Sequence, residues 1–347
     1  MGKVVSAIGV VVCHPEGRSA RCTPYQQTRA MTGYLFWSIQ HVFSNQSTRS
    51  NKSVTGQPIP SPSVFGSLPE TIYTPESALK KPRQLVRDML RDLYDSRELA
   101  WRLFVRDLRA QYRQSLLGYV WLFLPPLAST LLFVFLRSQQ IIKIGSTTIP
   151  YPLYVLTGVV LWEVFAASIH APLKVVGGAI PMLSKMNFPR ESLLMCGAYQ
   201  VLFGLCIKCL LLAVALVWFG TQITCLIFLW PLAILALMTL GFSLGLLLVP
   251  IGILYQDIGR AMTMALSAWF LLTPVIFPPP TNWPASIISH MNPVSPMIVT
   301  AREMLTSGEL SMQPAFLLIT GLSFILLLMA WVLYRLSMPH LIARMSA

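Results

Sequence analysis

Two ionisable side chains stand inside otherwise apolar stretches of this sequence, Glu163 in VLTGVVLWEVFAAS and Lys208 in VLFGLCIKCLLLAV. An acid or base held in hydrocarbon is costly and by default marks function, such as a proton relay or an ion site. Counted from opposite membrane faces the two fall at different depths, which argues against a pair within one subunit. The plainer reading has Glu163 facing an aqueous channel and Lys208 snorkelling outward. An ion-coupled transporter would need more titrating groups than these. Cys206 and Cys209 form a C-x-x-C beside Lys208, a spacing that elsewhere serves redox or zinc chemistry. In an apolar helix with no second ligand pair, packing accounts for it better. The five histidines, at 14, 41, 170, 290 and 340, are scattered. They make no His/Asp constellation and no metal set, and the clustered acids that a membrane protease or transferase requires are missing too. Without a G-x-x-x-x-G-K-[ST] run, the chain binds no ATP through a P-loop.

The elements that hold these residues are set by the gaps between charges. With 54% hydrophobic and 11% charged residues over 347 positions and a mean hydropathy of +0.62, the chain is too apolar for a soluble domain, where charged residues make up about 25%. The expectation is an all-α, polytopic membrane protein with six transmembrane helices. The first covers 114–136, the second 149–169 and the fifth 261–277, ending at Pro278-Pro279-Pro280. No charge occurs in the 48 residues from Cys209 to Gln256, a length of about 72 Å as one helix. That stretch must be a hairpin, with spans at 193–218 and 225–249 and its turn at Gly220-Thr221-Gln222. Residues 281–301 are apolar but broken by prolines, and fit re-entrant half-helices between spans 5 and 6. The sixth span is 315–334. Between spans 2 and 3, a loop rich in Pro and Gly carries Lys174, Lys185 and Arg190.

Ahead of the first span, 80–116 reads as cytosolic amphipathic helices. Thr74-Pro75-Glu76 has the residues of a helix start. Leu85, Val86, Met89, Leu90, Leu93 and Tyr94 then share one face, and Ser96 with Glu98 suggests a loose capping box. Trp101, Phe104, Val105, Leu108, Tyr112 and Leu116 form an apolar stripe beside a basic stripe of Arg102, Arg106, Arg109 and Arg113, the pattern of an interfacial helix. It is expected to run unbroken into the first span. Ten of the 26 Lys and Arg lie between Lys80 and Arg113, so the net charge of +13 marks membrane topology and lipid headgroups rather than nucleic acid. With the N-terminus inside, sixteen basic residues flank the spans on the inner side and three on the outer, and both termini are cytoplasmic. Residues 1–79 are rich in Ser, Thr, Gln and Pro with three acids and no period. They read as a disordered extension without a signal peptide.

Four ordered blocks then carry a resemblance: LFVRDLRAQYRQSLLGYVWLFLPPL (103–127), NFPRESL (187–193), YQDIGRAMTMALSAWFLLTPVIFPPP (255–280) and MNPVSPMIVTAREML (291–305). Together they resemble the permease subunit of ABC-2 type polysaccharide exporters, the O-antigen, capsule and teichoic acid group. The similarity covers about 85–340, and its transmembrane domain corresponds to 117–340. It implies a homodimer in the bacterial inner membrane, working with two separate ABC ATPase subunits. These bind ATP and Mg, so the chain is no enzyme and holds no cofactor itself. The cargo implied is a growing or undecaprenyl-type lipid-linked glycan, moved outward through a channel at the dimer interface. The loop 174–190 would then be the ATPase coupling element, with Lys174, Lys185, Asn187, Phe188, Pro189 and Arg190. A neutral aromatic path suits sugar rings, and Tyr119, Phe123, Trp162, Glu163, Trp269 and Phe270 are its candidates. Tyr119 would serve equally as an interface anchor. The alternatives are an ABC-2 exporter of a drug or lipid and a membrane enzyme of envelope glycan synthesis.

Overall fold

The computed structural model describes residues 82–347, apart from 114, 143–144, 146, 184–188, 222–223, 256, 281–284, 307 and 347. They fall within one unit, Glu76–Ala347. The extension 1–79 and the helix start at Thr74-Pro75-Glu76 lie outside the described residues, as do Lys143, Lys185, Asn187, Phe188, Gln222 and Gln256. Every regular element described is helical: α1 (Pro82–Asp95), α2 (Arg97–Tyr112), a 3-10 turn (Gly118–Leu122), α3 (Leu124–Ser138), α4 (Tyr151–Leu183), α5 (Glu191–Trp218), a 3-10 turn (Cys225–Phe228), α6 (Trp230–Leu254), α7 (Asp257–Leu272), α8 (Ala285–Met291), α9 (Val294–Leu305) and α10 (Gln313–Ser346). Four of them, α4, α5, α6 and α10, are long and apolar enough to cross a bilayer.

The expected continuous helix from 101 into the first span does not form. α2 stops at Tyr112, and Gly118 turns the chain at φ +51°. α3 then begins with prolines in its first turn. Pro125 and Pro126 lack an N–H and would clash with the carbonyls four residues back, so they fit only at a helix start. α3 is therefore 15 residues long, about 22 Å. At the other end of the fold, α7 stops at Leu272 because Thr273 precedes Pro274, which disfavours helical backbone there.

The expected Pro- and Gly-rich loop after span 2 is largely helix. α4 continues through Pro172, Gly177, Gly178 and Pro181 to Leu183, so Lys174 sits on a helix. Packing overrides the breakers: Val175, Val176, Ala179 and Leu183 are buried with Leu103 and Phe104 of α2 and with Tyr334 and Met338 of α10. The capping box at Ser96 is also absent. Its backbone is helical, its side chain caps nothing, and the hydroxyl donates to the Asp92 carbonyl at 2.5 Å.

The core is built around α4, which is buried over most of its apolar length and packed against α6 and α5, with α10 packed on α6 in turn. α6 comes unusually near. A Cβ at Gly241 would meet the Phe165 carbonyl and Ser168, and one at Gly245 would meet the backbone of Ile169. α5 and α10, by contrast, turn most of their apolar surface outward, with Val214, Val217, Leu322 and Ile325 more than half exposed.

Candidate functional site

Glu163 and Lys208 form an ion pair, Oε2 to Nζ at 2.7 Å, which corrects the expectation that they lie at different depths. Ending span 2 at 169 put Glu163 near the inner face, whereas α4 runs on to Leu183. Glu163 is twelve residues after Tyr151, and Lys208 is ten before Trp218, the corresponding end of its antiparallel neighbour α5. The Lys208 side chain is 11% exposed and Glu163 21%. Each charge is thus the other's main replacement for water.

Next to Glu163, Trp162 begins a ring cluster that joins three helices. Its centroid is 5.6 Å from Phe270 and 6.5 Å from Trp269, both on α7, and Phe270 lies 6.2 Å from Phe133 of α3. Phe165 meets Trp269 edge-on at 5.6 Å. Such contacts contribute about 0.5–1.5 kcal/mol each beyond burial. The Trp269 indole donates to Asn292 Oδ1 at 3.0 Å, and the Asn292 amide donates to Thr273 Oγ1 at 2.8 Å. This ties the end of α7 to the α8–α9 junction. Trp162 is only 7% exposed and packs within the protomer, whereas Trp269 and Phe270 are half-buried. Tyr119 stands elsewhere, 46% exposed, with its ring 4.5 Å from Tyr112 and 5.6 Å from Phe203. Phe123 caps the 3-10 turn and donates its N–H to Val120.

On the basic side, α2 docks on the protein itself. Ala100, Leu103 and Phe104 are buried, and the Phe104 ring meets Tyr199 and Phe203 of α5 at 6.1 and 6.0 Å. Leu103 was not on the expected stripe, because docking on α5 selects a slightly rotated face. The four arginines are exposed. Arg102 pairs with Glu98 at 2.6 Å and Arg106 with Asp107 at 2.9 Å.

Two groups carry more structure than their sequence context suggests. Arg335 of α10 binds Glu191 at 2.9 Å and Asp92 at 2.7 Å, while the Tyr334 hydroxyl donates to the Arg190 carbonyl at 3.3 Å. α1, the start of α5 and the end of α10 are thereby joined beside Pro189 and Arg190. Partners 144 and 243 residues apart leave no local pattern to read. Replacing Arg335 by Leu strands Glu191, which is 5% exposed. The expected loss is about 1–2 kcal/mol after allowing for the wetter Asp92, read as a lower midpoint of thermal unfolding in detergent. An unchanged midpoint would reduce the hub to a surface contact.

Arg302 is the second. Counted from sequence as an outer-loop charge, it is 4% exposed. Its guanidinium donates to the carbonyls of Pro274 at 3.3 Å and Val275 at 2.7 Å, and lies 3.8 Å over the Tyr154 ring. Where Pro274 breaks the helix it supplies donors to carbonyls that an apolar surround would leave bare. Gly158 makes room for it, since a Cβ there would strike both the guanidinium and the Val275 carbonyl. Cys206 and Cys209 are unpaired thiols, Cys206 exposed. Among the described residues no group of three or more His, Cys, Asp or Glu is placed to hold a metal ion.

Residues 98–306, from α2 to just past α9, match the ABC-2 type transporter family model. The chain is 29% identical over 214 residues, 60% of its length and 80% of the relative's, to the O-antigen export system permease protein RfbA of Myxococcus xanthus. A second relative of the same name, from Klebsiella pneumoniae, is 26% identical over 226 residues, 62% of this chain and 83% of its own. With more than half of its length under one family model, the chain belongs to the ABC-2 type transporter family.

Proposed function

We propose that the chain is the membrane subunit of an ATP-driven exporter that moves a lipid-linked or growing polysaccharide from the cytoplasm outward across the bacterial inner membrane. The observation that carries this reading is the ABC-2 match across 98–306 together with the similarity to relatives named as O-antigen export permeases. In it, two copies assemble with two ABC ATPase subunits that bind ATP and Mg. The six crossings are the four long helices plus α3 and α7, which reach about 30 Å only with the irregular segments at 118–123 and 273–277. Both termini are cytoplasmic. The buried Arg302 does not act as a loop charge, which widens the sixteen-to-three asymmetry that favours this orientation.

In this reading Lys185, Asn187, Phe188, Pro189 and Arg190 meet the ATPase, with Lys174 above them on α4, and the arginines of α2 border the same surface. Tyr119, Phe123, Trp269 and Phe270 face the cargo path between the two copies, while Trp162 and Glu163 form the layer behind them. Replacing Lys185, Asn187 and Phe188 together by Ala tests the coupling. The expected outcome is normal insertion, loss of surface polysaccharide with accumulation inside, and ATP hydrolysis that no longer depends on the permease. Unchanged surface polysaccharide in a strain lacking the whole chain would instead favour the drug or lipid exporter.

A further inference from the structure

A cavity of about 200 Å³ opens between the last turn of α2, the 3-10 turn, α4 and α5. Its polar lining is Gln111 and Tyr112 from α2, His170 and Lys174 one helical turn apart on α4, and Gln200 of α5. The remainder is apolar, with the Phe203 ring on one wall. Lys174 has no acidic partner among the described residues, whose ion pairs all lie elsewhere. Gln200 donates to Asp107 Oδ2 at 3.4 Å, which leaves its carbonyl able to accept a hydroxyl. Asp107 is in turn bound through its other oxygen by Arg106 at 2.9 Å. Arg109 in the last turn of α2 and Arg113 just after it are exposed and also lack an acidic partner among the described residues.

The depth of the cavity is informative. His170 and Lys174 follow Tyr151 by 19 and 23 residues on one helix, about 29 and 35 Å along it. With a hydrocarbon core of about 30 Å they reach the level of the inner phosphates. An unpaired ammonium there, beside an imidazole, a phenol and an amide in an otherwise apolar hollow, suits one chemistry: a phosphate ester carried on an acyl or prenyl chain.

We propose that this cavity is an inner-leaflet site for the phosphate headgroup of an amphiphile. Lys174 supplies the charge, His170, Tyr112 and Gln111 donate to the phosphate oxygens, and Gln200 and Phe203 receive the group attached beyond it. The depth argument rests on the orientation proposed above, while the donor set does not. Both the phosphate of a lipid-linked cargo and that of an ordinary phospholipid carry this chemistry.

The test is binding of radiolabelled farnesyl diphosphate to the full-length chain in phosphatidylcholine nanodiscs. Saturable binding that unlabelled farnesyl diphosphate displaces and farnesol does not is expected. Lys174→Gln should weaken it at least tenfold and His170→Leu several-fold. Arg260→Gln, which removes an exposed cation on α7, should leave it unchanged. Because Lys174 is exposed, its variant keeps the fold, and an unaltered unfolding midpoint checks this. Displacement by phosphatidylglycerol at equal concentration would identify the occupant as a membrane phospholipid, and resistance to it as a prenyl phosphate. Absence of saturable binding, displacement by farnesol, or equal losses in Lys174→Gln and Arg260→Gln would overturn the proposal. The readout is independent of export, so a chain that exports no polysaccharide yet binds through Lys174 would overturn the proposed function and leave the site standing.

Discussion

Glu163→Gln is expected to destabilise the protein by about 3–5 kcal/mol, because it leaves the Lys208 ammonium inside the helix bundle with no counter-charge. Lys208→Met should cost a similar amount by stranding the Glu163 carboxylate. The double variant Glu163→Gln with Lys208→Met removes both charges, keeps both volumes, and should recover most of the loss. The measurement is a double-mutant cycle on thermal unfolding of the purified chain in detergent, accompanied by the amount inserted in the membrane. Additive single effects, or two silent single variants, would show that the pair does not couple α4 to α5. Transport by the double variant separates two meanings of the pair. A folded double variant that still transports shows a structural tie, whereas a folded but inert one points to a proton or ion handled by Glu163. Sequence alone favours a modest cost for Glu163→Gln, since an ATP-driven permease needs no titrating group of its own and Gln keeps size and hydrogen bonding. The 2.7 Å contact reverses that expectation.

The second large effect is at Gly158. Gly158→Ala places a methyl group where the Arg302 guanidinium and the Val275 carbonyl already are. Neither can yield cheaply, one being backbone and the other clamped by two carbonyls and the Tyr154 ring. A loss of about 3 kcal/mol or more is expected, combining overpacking with carbonyls that lose their donor. Arg302→Met should be comparably damaging without any clash, since it fills the space and donates nothing. Arg302→Lys should recover only part, because an ammonium cannot fork between two carbonyls. Gly178→Ala is the control: it lies on the same helix, a Cβ there meets nothing within 4 Å, and it should be neutral or gain about 0.5–1 kcal/mol from helix propensity. Unfolding midpoints and protease sensitivity at 273–280 read the outcome. Equal behaviour of Gly158→Ala and Gly178→Ala would mean that the clamp around Pro274 yields freely.

What the sequence makes legible here is what local chemistry controls. Gly220 ends the hairpin's first arm, and the absence of charge from Cys209 to Gln256 requires a hairpin, whereas the expected fifth span runs past Pro274 to 277 although α7 ends at Leu272. The unbroken helix from 101 fails on the same chemistry, because the proline pair that should have stopped it lay inside an apolar run of the right length to span. Features set by tertiary packing are not legible. α4 passes through Gly177-Gly178 and Pro181 because its far end is buried in a cluster shared with residues of α2, α5, α6 and α10, and that extension in turn corrects the depth of Glu163. Arg302 reads as a loop charge because nothing near it in sequence shows the two carbonyls it serves. For the candidate site, Trp162, Trp269 and Phe270 converge through an α4–α7 contact more than 100 residues apart. Lys174 becomes notable only once α2 and α5 close a cavity around it.

The approach of α6 to α4 at Gly241 and Gly245 has a mechanical consequence. With backbone against backbone there is no layer of side chains to shear, so sliding or bending one helix along the other would drive main-chain atoms together. The pair acts as a stiff spine. Compliance is left to places where the hydrogen-bond ladder is already broken, among them Gly118 between α2 and α3 and Pro274 after α7. In the exporter proposed above, rigid bodies parting about those joints would open a path while the distance between α4 and α6 stayed constant.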